Sequence, residues 1–494
     1  MGGGKPPSHL SKSLRERLME NMPRSNNIYK RYHLKTDTTP NIVPWPNRFL
    51  VGVNKFQLAR YMIGEVFHQR GDLKAITSRP CMYGVFSGPI GGFAPRPQHC
   101  VGCLRCTVQH PDILTIRHNP AYQGMGDTYF HFGHIGAVAY EAETGSIPVK
   151  GAGYRGKFGG EGWDGMWTDM SEIVRPTRDG IHGREFISTV VEIGEKPSYL
   201  VFDEDGQPVG TSPRTLAIPI PFIYDAPPPS VTSSLLADIL SDAATQAETL
   251  AILPIGMVSS SRLKVESIVP LIKVDEVEQL SNLPFTPKMI EIELGDTQIS
   301  KLQSLITNLQ TSFPDTILAQ RLPYTDGEAM RAYAEAGIKV FHLLADYHGR
   351  GEDGHFVFDL IREAHLAFVE AGMRDQVTLI GGGGIAAAEH NPKAIIAGLD
   401  LVALDTPLLV AMQAEFEGEC RDRTESKFTL PKNLNREWGI QRILNLTAAW
   451  RDQLLEILGA MGLREVRRLR GEMGRAMFQV DLEREAFAEI DGYE

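Results

Sequence analysis

Cys100, Cys103 and Cys106 recur at C-x2-C-x2-C spacing, and His110-Pro111 follows them. Thiolates this close in one loop can converge on a single metal centre. The bacterial iron–sulfur run is C-x2-C-x2-C-x3-C-P. Three of its cysteines and its proline are present, and His110 stands at the fourth cysteine position. A [3Fe–4S] cluster needs only the three thiolates. A [4Fe–4S] cluster calls on His110, on Cys81 or on a small molecule as fourth ligand. Zinc held by three cysteines and His110 is the second reading, and a loop that has lost its metal is the third. Cys81 and Cys420 otherwise read as plain buried thiols.

A second constellation lies far downstream. Gly381-Gly382-Gly383-Gly384 ends an apolar run, and Asp405-Thr406 ends the next one. Glycines let backbone N–H groups close on an anion, and a following helix N-terminus adds positive potential. Gly382, Gly383, Gly384, Asp405 and Thr406 are therefore candidate phosphate ligands of a cofactor; a flexible turn is the plainer alternative. The spacing is not that of a Rossmann nicotinamide site. Asp225, Arg321, Asp346, His348 and Asp405 fall at the ends of expected strands. Of these, Asp346, His348 and Arg321 are the candidate catalytic residues, with ordinary loop polarity as the alternative. His342 lies inside a strand and reads as a satisfied core histidine.

Strands are expected at 216–223, 250–254, 267–274, 288–294, 316–322, 339–345, 376–381 and 401–405. Helical stretches fall between most of them, including 233–247, 328–336, 356–371 and 392–397. Strands alternating with helices imply parallel α/β architecture. The expected fold is a (β/α)8 TIM barrel, with an open doubly wound sheet as the alternative. Strand ends at one mouth of such a barrel carry the chemistry, and the loops after strands seven and eight often bind phosphate.

The remaining segments follow from that reading. Residues 1–90 form an arm with helices near 11–21 and 55–70. Residues 91–145 hold the cysteines. Residues 146–213 are a glycine-rich lead-in, the barrel spans 214–420, and helices fill 421–494. Two helices broken near 459–462 are expected there, the second one rich in arginine.

Composition narrows the class. The chain has 494 residues, 42% hydrophobic and 22% charged, with a formal charge of −11. That excludes a largely disordered chain and disfavours nucleic acid as a partner. No apolar run reaches membrane-spanning length. No secretory core is evident, and five cysteines make no disulfide framework. A cytoplasmic location is expected.

Three stretches resemble the FMN-binding synthase domain of glutamate synthase. Residues 374–412, RDQVTLIGGGGIAAAEHNPKAIIAGLDLVALDTPLLVAM, are similar to its seventh and eighth strands. Residues 455–472, LEILGAMGLREVRRLRGE, are similar to the helix that follows, and 167–197 to the segment leading in. The likeness covers roughly 160–478, and the cysteine run resembles the ferredoxin-like insert of stand-alone, archaeal-type members. The resemblance implies a barrel carrying FMN beside an iron–sulfur cluster. It also implies reduction of the imine formed from 2-oxoglutarate and ammonia. Electrons would come from ferredoxin or an NAD(P)H-oxidising subunit, in an oligomer or larger complex. By position, Gly382, Gly383, Gly384 and Thr406 would grip the FMN phosphate. The loops after strands one, two, four and six depart from the family's motifs. Gly295-Asp296-Thr297-Gln298 stands where the family has its substrate-binding lysine. An alternative follows: a barrel without its catalytic loops, serving as a structural or electron-transfer subunit.

Overall fold

The computed structural model describes residues 32–72, 81–147, 159–171, 186–196, 201–209, 214–258, 265–293, 299–325 and 327–490. Contacts divide the chain into Met1–Leu34 and Lys35–Glu494. The helix expected over 11–21, most of 146–185 and the loop Gly295–Gln298 lie outside the described residues.

Eight parallel strands close into a barrel. They are β1 (Phe222–Tyr224), β2 (Ala251–Pro254), β3 (Ile268–Lys273), β4 (Met289–Glu293), β5 (Ile317–Pro323), β6 (Val340–Leu344), β7 (Thr378–Gly381) and β8 (Leu401–Leu404). Each pairs in register with its neighbours, and β8 returns to β1. The fold is the (β/α)8 barrel. Its strands are apolar runs because both faces are covered.

The helices follow from ordinary signals. Ser233 caps Ser234–Gln246 by accepting the Leu236 N–H at 3.2 Å. Val357–Glu370 and His390–Ala397 follow β6 and β7. After β2 and β3 the described residues hold the helical turn Ile255–Val258 and the 3-10 segment Val274–Asn282. Outside the strict repeat, the helices Phe132–Thr144 and Arg436–Ala460 pack on each other and close the shell beside β8 and β1.

Two expected elements differ. The run read as one first strand divides at Pro219-Ile220-Pro221. Thr215–Ile218 pairs antiparallel with Val191–Gly194 as a separate hairpin, and only Phe222–Tyr224 joins the barrel. Proline has no N–H for a ladder, so the run cannot continue through both residues. The arginine-rich second C-terminal helix is absent. Residues 466–469 and 473–475 form 3-10 turns instead. Gly462 and Gly471 take φ of +68° and +73°, which interrupts helical winding.

Near the cysteines, Phe49–Val53 pairs antiparallel with Leu114–His118 and the helix Lys55–His68 follows. No residue of that helix is fully buried.

Candidate functional site

Strand alternation sends Glu291 of β4, Arg321 of β5 and His342 of β6 into the barrel, where they meet Asp225 just beyond β1. Arg321 Nη1 donates to Asp225 Oδ1 at 2.8 Å and to Glu291 Oε1 at 2.7 Å. His342 Nδ1 lies 2.9 Å from Glu291 Oε1. A carboxylate only accepts, so this nitrogen carries the proton. The ring is therefore a core histidine tied into an ionic network.

Arg423 completes the network from the irregular segment after β8. Its Nη1 donates to Asp225 Oδ2 at 3.0 Å and its Nη2 to Asp405 Oδ2 at 2.9 Å. Its Nε donates to the Ala345 carbonyl at 2.6 Å, and its guanidinium lies 4.8 Å from the Tyr347 ring centroid. Two guanidiniums thus face three buried carboxylates at the C-terminal mouth. Arg321 and His342 hold Asp225 and Glu291 below the usual carboxylate range against their burial. Asp405 moves the other way. Burial and the neighbouring Asp225 push it up, although Arg423 opposes this. Asp405 is the acid of this network that retains a proton best.

The glycine run ends β7 beneath the loop after β6. A Cβ on Gly383, at φ +111°, would lie 2.8 Å from Ala345 Cβ and 3.0 Å from the Asp346 carbonyl. One on Gly384 would lie 2.6 Å from Tyr129 Oη. Trp163 Nε1 and Tyr129 Oη donate to the carbonyls of Gly383 and Gly384, at 3.3 and 2.7 Å. The Gly384 N–H is donated to the Tyr347 carbonyl. The Thr406 N–H is donated to Asp405 at 2.6 Å. Two buried hydroxyls at this mouth, Thr406 Oγ1 and Tyr324 Oη, have no hydrogen-bond partner. Gly383→Ala is expected to destabilise the fold by roughly 2–4 kcal/mol through overpacking and strained φ, measured by denaturant unfolding.

Behind the run, Asp164 accepts from His134 Nε2 and His390 Nε2, both at 3.0 Å. Lys393 Nζ donates to the Trp163 carbonyl at 2.7 Å. This brace fixes Trp163, and through it the carbonyl side of the run. The two imidazoles hold Asp164 well below the usual range despite burial.

The three candidate catalytic residues engage different partners. Arg321 is inside the barrel. Asp346 accepts from the Arg350 N–H at 2.7 Å and from Arg421 Nε. His348 Nε2 lies 2.9 Å from Asp127 Oδ2, and its ring stacks on Tyr129 at 5.3 Å. Sequence reasoning missed Glu291, Arg423, Asp164, His134 and His390. Glu291 was findable as a charge within an apolar strand. The others sit in irregular or helical contexts that carry no such signal.

The cysteine loop is separately built. Gly102 and Leu104 take φ of +72° and +57°, cranking the chain between the thiols. The Thr107 N–H is donated to the Leu104 carbonyl at 3.1 Å, and burial pushes the Cys100 and Cys106 thiols up. Among the described residues, two groups bring three metal-ligand atoms within 4.8 Å of one another: His131–His134–Asp164 and Asp127–His348–Glu419. The cysteines form no such group. All five cysteines are free thiols.

No family model matches the sequence. The archaeal-type glutamate synthase (NADPH) of Dehalococcoides mccartyi is 23% identical over 435 residues, 76% of this chain and 86% of that protein. The chain is a divergent relative of the archaeal-type glutamate synthases. An archaeal glutamate synthase (NADPH) of Methanocaldococcus jannaschii is 33% identical over 112 residues, 22% of each chain. The archaeal-type glutamate synthase (NADPH) of Thermotoga neapolitana is 36% identical over 108 residues, 21% of each. A flavocytochrome b2 double mutant with pyruvate bound aligns over 67% of this chain and 80% of its own, at 12% identity and TM-score 0.41. No helix of the described residues is long and apolar enough to cross a membrane.

Proposed function

We propose that this chain is an iron–sulfur flavoprotein oxidoreductase of glutamate-synthase type, reducing the imine of 2-oxoglutarate and ammonia. The observation that carries the reading is the alignment over 86% of an archaeal-type glutamate synthase, joined to three cysteines gathered in one loop cranked at Gly102 and Leu104.

The residues fit both groups. Three free thiols in one loop are the donor set an iron–sulfur cluster takes. At the barrel mouth, the side-chain-free Gly382 and Gly383 and the unpartnered Thr406 hydroxyl suit an FMN phosphate, whereas the Gly384 N–H is taken by the Tyr347 carbonyl. The guanidinium of Arg423 suits the negative charge of a reduced flavin ring. The chemistry these groups supply when bound is one-electron relay by the cluster and hydride transfer to an imine by FMN.

The chain's own contribution is electrostatic and protonic. Arg321 and Arg423 hold a fixed positive field at the mouth. Asp405, pushed up by burial, is the carboxyl of the mouth that takes up a proton most readily for the nitrogen that gains charge. Tyr347 and the loop after β6 exclude water from that face. Residues 48–118 carry nine Lys/Arg against three Asp/Glu in an acidic chain. That local charge favours an acidic electron donor, ferredoxin or an NAD(P)H-oxidising subunit, docking beside the cysteines in a larger complex. The free thiols suit a reducing, cytoplasmic compartment.

One observation favours a second reading. Arg423 is already bridged to Asp225 and Asp405 across the mouth, which leaves less room for a substrate. On this reading the barrel is a structural or electron-transfer subunit. Anaerobic assay with a reduced viologen dye separates the two. The first reading expects glutamate formed in step with dye oxidation, requiring both 2-oxoglutarate and ammonia. Dye oxidation without glutamate, at full cofactor content, would overturn it in favour of the second.

A further inference from the structure

The cysteine triplet needs a fourth partner if it is to hold a four-iron cluster, and two residues compete. His110 occupies the motif position. Its ring, however, packs edge-on against Tyr61 of the helix Lys55–His68, with centroids 4.8 Å apart at 61°. That contact holds the imidazole against the helix.

The Gly84 N–H donates to the Cys81 carbonyl at 2.8 Å, making a tight turn. The chain then runs to Val85, whose carbonyl accepts the Arg96 N–H at 2.7 Å. This bond pins the segment carrying Cys81 to the segment carrying Cys100. The Cys100 N–H closes on the Pro97 carbonyl at 2.9 Å, a turn directly after the pinned pair. Cys81 and Cys100 thus stand equally far along the chain from the Val85–Arg96 bond, on its two arms. In agreement, the Cys81 thiol is close enough to act electrostatically on both Cys100 and Cys106. Cys81 is half-buried beside them rather than sequestered in a core.

We propose that Cys81 is the fourth ligand of a [4Fe–4S] cluster held with Cys100, Cys103 and Cys106, and that His110 is not a ligand. The proposal rests on the cluster reading above. The test is anaerobic reconstitution of the full chain with ferrous iron and sulfide, followed by iron analysis and electron paramagnetic resonance before and after dithionite. The wild type is expected to bind about four iron and to show a signal only when reduced. Cys81→Ala should retain about three iron and show the oxidised-state signal of a three-iron cluster. His110→Ala should behave as wild type. Circular dichroism confirms that each variant is folded, and Cys81→Ser serves if the alanine variant is not. A wild-type four-iron signal that survives in Cys81→Ala overturns the ligand assignment and leaves the cluster standing. A wild type that takes no iron, or purifies with zinc alone, overturns both.

Discussion

Replacing Arg423 with methionine should cost about 3–5 kcal/mol of folding stability, because it leaves buried carboxylates without their counter-charge. The guanidinium joins Asp225 of the β1 end to Asp405 of the β8 end. Arg321 still neutralises part of Asp225, so the larger share of the loss falls on Asp405. Adding Asp405→Asn to the methionine variant should recover part of the loss, since an amide is cheaper to bury unpaired than a carboxylate. Denaturant unfolding of the two single variants and the double variant measures the coupling. Additive losses would mean that the two side chains do not act as a pair.

The second large effect is on pH dependence. Glu141 lies on the inner face of the helix Phe132–Thr144 and accepts from Trp450 Nε1 at 2.7 Å. Burial pushes its carboxyl up to about 8 from the ordinary 4.5, against the opposing effect of the Trp450 bond. Between those values the folded chain holds a proton that the unfolded chain has lost. Stability from this group is therefore complete below about pH 4.5, declines as pH rises toward 8, and is flat above. The decline is on the order of 4–5 kcal/mol at most. Glu141→Gln keeps an acceptor for Trp450 and removes the ionisation. Its stability should be level across that window and exceed the wild type at pH 8.5. A wild type whose unfolding midpoint does not fall between pH 5 and 8 would contradict the buried, protonated carboxyl.

The barrel was legible because its strands are apolar, β-branched runs separated by helices, such as VTLIG before the glycines and LVALD after them. Only the first strand was misplaced. There two β-rich runs flank Pro219 and Pro221, and composition does not say which run enters the ladder. The arginine-rich C-terminal stretch looked helical because apolar residues recur at helical spacing. The left-handed glycines Gly462 and Gly471 decide otherwise. At the mouth, Asp225, Arg321 and Asp405 were visible as polar residues at strand ends. Arg423 was not, because it sits in an irregular polar segment where no periodicity points inward. Cys81 was legible as one of several candidates for the fourth ligand, with no signal to choose it over His110. Its relation to the triplet is made by the Val85–Arg96 bond, which spacing alone does not encode.

The central claim is that one chain carries both a cluster and a flavin. It is tested most directly by anaerobic purification, a visible spectrum, and iron, sulfide and flavin measured per chain. The account predicts about four iron, matching sulfide and about one FMN. Zinc without colour, or a chain with neither iron nor flavin, would contradict it.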